Sequence, residues 1–278
     1  MTAMSLSLVT ALSSSLTTAL RVPVTTAWGQ FVRAKVQITT SLAVLVFAAT
    51  ATAEPTPYRA IYRADYKGIP VSAKGIRELR REENGTYTLS STARSFFGTV
   101  SESSIFTLQE DLMVPIQYTY RRTGLGKKRD ATLKFDWDSM KVVNDVQSKP
   151  WEMQIPTGTM DKLLYQMKMR QELAFAHNQN LPWPDLAYQV ADNGKLKQYH
   201  FEVVGEEETD TPVGAIKTIK VTRVKHNKNR VTTFWLALQY DFLLVRFQQL
   251  DDKGKGFELL LSEAEFDGRP IRGIETSL

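Results

Sequence analysis

From Tyr58 onward the chain is a succession of short runs rich in Tyr, Phe, Val, Ile and Thr, each broken by residues that suit turns. Such runs predict antiparallel strands, because β-branched and aromatic side chains fit a pleated, half-buried surface while Gly, Asn and Asp at the breaks reverse the chain. The strongest break is Glu83-Asn84-Gly85-Thr86, where Asn-Gly supplies the positive φ angles of a two-residue hairpin turn. Others fall at Lys67-Gly68, Asp136 to Ser139, Asp192 to Gly194, His226 to Asn229 and Asp251 to Gly254. The spacing gives about ten strands or more.

Alternation within the runs says how the sheet is used. Ile116, Tyr118 and Tyr120 share one face of a strand, and Tyr199, Phe201 and Val203 share another, with His200 and Glu202 opposite. One buried and one wet face is the pattern of an antiparallel sheet packed on one side. A sheet of so many strands coils rather than staying flat. The expected fold is therefore mainly β, a large curved antiparallel sheet forming an open or half barrel.

One segment departs from this period. Between Met160 and His177 the apolar residues Met160, Leu163, Leu164, Met167 and Ala174 follow helical spacing, with Thr159 as N-cap and Asp161 in the first turn. Leu181-Pro-Trp-Pro184 cannot continue a helix and returns the chain to a strand. This amphipathic helix is expected on the concave face of the sheet. Met153, Met160, Met167 and Met169 gather around it with Trp151, Tyr165, Phe175 and Trp183. Methionine fills gaps in any core, so packing is the plainer account of the cluster; the functional account is a flexible apolar wall lining a cavity for an acyl chain or another apolar ligand. On the second reading the cavity residues are Met160, Leu163, Leu164, Met167, Trp183, Tyr118 and Phe201.

Ahead of the strands, Arg33 and Lys35 precede the apolar run Ile38 to Ala49, followed by Ala51-Thr-Ala53 and Glu54-Pro. A charged start, a short apolar stretch and a small-x-small site make a secretory signal with cleavage between Ala53 and Glu54. Thr39, Thr40, Ser41, Thr50 and Thr52 interrupt the stretch, which falls short of the roughly 20 apolar residues of a span. Residues 1–31 read as an upstream extension ahead of a true start near Val32, or as an elongated n-region. The expectation is a leader over residues 1–53 and one periplasmic domain over residues 54–278, with secretion as the lesser alternative. The chain holds no cysteine, which excludes a lipid-modified cysteine and any disulfide. Three of the 35 basic residues, Arg21, Arg33 and Lys35, lie in the leader with no acid beside them. The remainder is close to neutral and makes no global case for nucleic acid.

Recognisable chemistry is scarce. His177, His200 and His226 have no metal-ligand spacing, and no hydrolase, zinc-protease or phosphate-loop motif occurs, so neither a metal nor a cofactor is expected. Acidic residues pair at Asp136 and Asp138, along a loop at Glu206 to Glu208, and at Glu263 and Glu265 on one strand face. A hydrolase would need two carboxylates facing each other across a substrate. The run Arg121 to Arg129 holds Arg121, Arg122, Lys127, Lys128 and Arg129. At a hairpin tip it could meet anionic headgroups or an acidic partner.

The segments Tyr58 to Ile69, Met113 to Tyr118, Phe135-Asp-Trp137 and Thr211-Pro-Val-Gly214 resemble a family of bacterial exported proteins known as domain of unknown function 3108. The Thr211 to Gly214 turn, the strands after it, Phe234-Trp235 and the final run to Phe266 are also similar in pattern to the LolA and LolB lipoprotein-carrier fold. The first resemblance implies no catalytic residues; the second implies an open half-barrel with a helix over its mouth. The resulting expectation is a non-enzymatic protein of the cell envelope whose cavity takes a lipid or a lipoprotein acyl chain. The rival is an envelope scaffold acting on a protein partner through its basic loop or a sheet edge, with peripheral membrane contact; a less favoured third is an Asp/Glu-dependent hydrolase.

Overall fold

The computed structural model describes residues 54–67, 72–96, 98–110, 112–124, 129–144, 150–192, 194–224 and 230–274. The signal-peptide boundary, Lys127, Lys128 and His226 lie outside them. Eight strands come first: β1 (Tyr58–Lys67), β2 (Ser72–Arg81), β3 (Tyr87–Ser95), β4 (Gly98–Gln109), β5 (Leu112–Thr123), β6 (Arg129–Asp136), β7 (Lys141–Asn144) and β8 (Trp151–Gln154). The helix α1 (Leu164–Asn178) follows. Then come β9 (Leu186–Asp192), β10 (Lys195–Thr211), β11 (Gly214–Arg223), β12 (Arg230–Ala237), β13 (Leu244–Asp251), β14 (Gly256–Phe266) and the short β15 (Arg269–Pro270).

All fifteen strands belong to one antiparallel sheet, ordered β8-β7-β6-β5-β4-β3-β2-β1-β14-β13-β12-β11-β10-β9 with β15 on β14. The chain runs outward from β1 to one edge, crosses through α1, and returns from the other edge to pair β14 with β1. No ladder joins the edge strands β8 and β9, so the sheet does not close into a barrel.

One helix nevertheless touches strands far apart in this order. Gln166 bonds Arg77 of β2, while Glu172 accepts from Tyr188 of β9. In a flat sheet β2 and β9 would lie about 33 Å apart, whereas a helix with its side chains is only about 10–12 Å wide. The sheet must therefore wrap around α1, which occupies its concave face. Contacts from that face surround the helix: Leu164, Met169 and Leu173 have no exposed surface, and Tyr165 stacks on Phe201 and meets Tyr199 edge-on. Asn180, at positive φ, ends the helix in place of a glycine, with the Leu181 amide returning to the Ala176 carbonyl.

Several sequence expectations need correction. The helix begins at Leu164 rather than Met160, because the Met160 amide and carbonyl are already paired with Gln189 and Ala191 of β9. Thr159 does not cap it; its hydroxyl donates to the Pro156 carbonyl, and Asp161 takes the amides of Leu163 and Leu164 at 2.8 Å each. Ile116 does not share a face with Tyr118, since a bulge leaves it without a partner between Pro115 and Gln117 and 40% exposed. At the hairpin turn only Gly85 has positive φ, while the Asn84 side chain accepts from the Thr86 amide, and three residues separate the paired Glu82 and Thr86. In addition, Glu206 to Glu208 lie within β10 rather than in a loop.

Candidate functional site

The inner face of β2, β3 and β4 carries small side chains where the helix does not reach. Inward positions alternate Gly75, Arg77 and Leu79 on β2, opposite Ala93, Ser91 and Leu89 on β3, with Val100 and Glu102 beyond on β4. Gly75, Ser91 and Ala93 leave space that α1, entering at Leu163, does not fill. The result is a cavity of about 290 Å³ between these strands, the start of the helix, and β13 and β14. Its apolar lining includes Val100, Leu163, Leu244, Phe247, Phe257 and Leu259; its polar lining includes Arg77, Glu102 and Gln166. A Cβ at Gly75 would already touch Leu259 and Tyr62 at 3.4 Å, so glycine sets the local width.

Arg77 is buried and donates from Nη1 to the Gln166 side-chain oxygen at 2.8 Å. Burial works to lower its pKa, but the Tyr58 and Tyr62 hydroxyls and the Glu102 carboxylate outweigh it, so the guanidinium stays charged. Burial pushes the Glu102 pKa up, against the opposing pull of Lys162, the Tyr118 hydroxyl and Arg77. The cavity thus offers a fixed cation and a carboxyl group whose pKa burial raises.

Behind Glu102 lies a second polar cluster. Ser104 of β4 donates to Oδ2 of Asp161, whose pKa burial raises to about 6 despite that bond and the two helix amides. Asp192 accepts from Lys197 at 2.6 Å and from the Tyr199 hydroxyl at 3.2 Å. Those contacts and Lys162 hold its carboxyl low in spite of burial. Both carboxylates are engaged by structural partners, and Glu102 is the single carboxylate lining the cavity. Opposed carboxylates of the kind hydrolysis requires are therefore missing from the lining. Among the described residues no group of three or more His, Asp or Glu could hold a metal ion.

Of the residues singled out from sequence, Leu163 lines the cavity. Met160, Leu164, Met167, Tyr118 and Phe201 are packed into the hydrophobic core, and Trp183 lies half-buried at the far end of the helix against His177 and Phe242. Phe175, grouped with them, is 54% exposed. Arg121 and Arg122 sit within β5, opposite Asp130 and Arg129, so they do not form the tip of the basic hairpin. Sequence reasoning missed Arg77, Glu102 and Gln166. The available signal was strand alternation, which gives Arg77 the parity of Gly75 and Leu79, and Glu102 that of Ser104 and Phe106.

A family model described as a protein of unknown function, DUF3108, matches residues 61–262. Among solved structures, the chain is similar to a beta-barrel-like protein of domain of unknown function DUF1849 from Brucella abortus, with a TM-score of 0.51 at 10% identity over 77% of this chain and 99% of that one. Fainter likenesses are the MucA/MucB complex of Pseudomonas aeruginosa (TM-score 0.32, 10% identity, 78% of this chain and 53% of that) and a domain assigned to outer membrane lipoprotein sorting from Vibrio parahaemolyticus (0.23, 9%, 77% and 86%). At such identities the first likeness concerns the fold alone, and the other two scores are too low to argue from. No curated protein matches the chain by sequence.

Proposed function

Because this chain belongs to the DUF3108 family, whose description assigns no activity, we propose its function from the cavity: it binds, without chemical change, a small amphipathic molecule of the lipid or acyl class in the cell envelope. The observation that carries this reading is a buried, charged Arg77 facing a space of about 290 Å³ whose walls include Phe247, Phe257, Leu244 and Leu259. That volume lies at the lower bound of small-molecule sites, roughly 300–1,000 Å³, and suits one short acyl chain better than a whole phospholipid. Arg77 and Gln166 would receive an anionic or hydrogen-bonding head, while the aromatic and aliphatic wall takes the apolar body. The secretory leader read from residues 1–53 supports a periplasmic location for such a protein. Among the described residues no helix is long and apolar enough to cross a membrane.

Decanoate titrated calorimetrically into lipid-stripped protein tests the reading. Saturable one-to-one binding with a negative heat-capacity change is expected. Ala93→Phe, which fills the cavity from β3, should weaken it at least tenfold, and Arg77→Met should weaken decanoate more than decanol. Absence of saturable binding, or affinity unchanged in Ala93→Phe, would overturn it.

A further inference from the structure

On the outer face of the sheet, three neighbouring strands present a row of like charges. Arg63 of β1 is the direct partner of Lys74 of β2, and Lys74 is the direct partner of Arg94 of β3. All three side chains are exposed. Like charges placed directly across strands are destabilising. Elsewhere on this face a comparable row is neutralised: Lys220 and Arg246 flank Trp235, their charges 5.2 and 4.8 Å from its ring, with Glu207 and Glu258 bonded to the set. The Arg63 row has no such aromatic spacer. Asp65 lies 3.5 Å from Arg63 and Glu263 borders the same depression of about 480 Å³, which leaves Lys74 and Arg94 as its outer cations.

Immediately beyond this row the chain turns at an aromatic residue, Phe96. Ser95 pairs with Gly98, so Phe96 lies in the short connection between β3 and β4. Turns of this length favour Asn and Gly, and Phe contributes nothing to their geometry. Phe96 is 98% exposed; Phe97 lies outside the described residues. Antiparallel pairing puts the ends of β1, β3 and β13 at this same end of the sheet, where Lys195, Arg230, Lys253 and Lys255 are also exposed. Connections at the opposite end carry Glu82, Glu83, Glu110, Asp138, Asp241 and Asp267. Among the described residues this end thus sets Phe96 within a rim of exposed cations interrupted by Asp252, while the acidic connections of the opposite end are accompanied by Arg269 and Arg272.

We propose that this end, with the Arg63–Lys74–Arg94 row and Phe96, docks on an anionic phospholipid surface. The cations meet the phosphates while the aromatic tip enters the boundary between headgroup and acyl chain, each supplying what the other lacks for reversible attachment. The cavity approaches the same end: Ala93 precedes Arg94, and Phe257 follows Gly256 at the start of β14. Docking would therefore bring the proposed lipid site next to the bilayer, and this step deepens that reading without requiring it.

Cosedimentation of lipid-stripped protein with vesicles of phosphatidylglycerol mixed into phosphatidylcholine, against pure phosphatidylcholine, tests docking apart from cavity loading. Binding is expected only with the anionic vesicles and should weaken between 50 and 300 mM salt, where screening shortens the reach of each charge. Lys74→Gln and Arg94→Gln should each cost about fivefold in partitioning, from about 1 kcal/mol per cation near a membrane. Phe96→Ser should weaken binding at high salt as well, and Lys217→Gln at the opposite end should change nothing. Thermal melts establish that each variant is folded. Equal binding to neutral vesicles, wild-type partitioning by the Lys74→Gln/Arg94→Gln pair, or full competition by 5 mM inorganic phosphate at constant ionic strength would overturn the assignment, the last in favour of a soluble phosphate ligand.

Discussion

Gln166 on the helix accepts a 2.8 Å hydrogen bond from Arg77 on β2, and that bond ties α1 to the strand that floors the cavity. Nε of Arg77 is buried without a hydrogen-bond partner, so the guanidinium has little to spare. Gln166→Leu should lower stability by about 1.5–3 kcal/mol, the range for a hydrogen bond to a charged group, while Gln166→Glu should hold or raise it. Urea midpoints of the two variants check the contrast. Equal losses would show that the helix is placed by packing alone.

Asp161 gives the fold a pH dependence of definite sign. Its carboxyl has a pKa of about 6 in the folded chain against 3.8 ordinarily, so the native state keeps a proton that the unfolded state has released. The associated stability is fully present below pH 4 and is lost as pH rises through 6, by up to about 3 kcal/mol. Asp161→Asn can still accept from the Leu163 and Leu164 amides and can donate to Ser104, but it does not titrate. Denaturation at pH 4, 5, 6 and 7 should show the Asn variant gaining on the wild type across that window; parallel profiles would refute the account.

Burial around the helix separates two neighbouring residues. Leu173 has no exposed surface and Phe175 is 54% exposed. Leu173→Ala should cost about 2–5 kcal/mol, the range for a cavity in a packed core, whereas Phe175→Ala should stay within about 0.5 kcal/mol. Thermal melts of the pair check that α1 presents the first side chain, and not the second, to the sheet.

Gly256 stands where β14 leaves the preceding turn, and an added Cβ would lie 2.0 Å from the Gln249 carbonyl oxygen. That oxygen belongs to β13, which pairs with β14 here, so it cannot retreat without opening the ladder. Gly256→Ala should destabilise by about 3 kcal/mol or more. Gly254→Ala, at φ +71 with no atom within 4 Å, should cost only the roughly 1–2 kcal/mol of a left-handed backbone. Chemical denaturation of both variants distinguishes the two costs.

The meander was legible because its signals are local: Asp136 bonds the amides of Asp138 and Ser139 at a turn that the sequence marks, and Asp251 does the same at Lys253 and Lys255. What failed depended on residues distant in the chain. Met160 looks helical until Gln189 and Ala191 claim its backbone, and Ile116 looks inward until β4 fixes a bulge beside it. The cavity was illegible for a related reason. Methionines suggested it, yet Met160, Met167 and Met169 fill the core, and the space comes from Gly75, Ser91 and Ala93, whose shortness matters only when β13 and β14 face them. Arg77 had the parity of an inward residue, but a charged side chain in a strand reads as outward until its partners are known.

The most direct measurement of the central claim is the intact mass of the protein, isolated under native conditions from the cells that make it, before and after organic extraction. A discrete additional mass is expected, lost on extraction, recovered as an acyl or small lipid species, and missing from the Ala93→Phe variant. The bare polypeptide mass in both preparations, together with no uptake of added decanoate, would contradict a ligand-binding cavity.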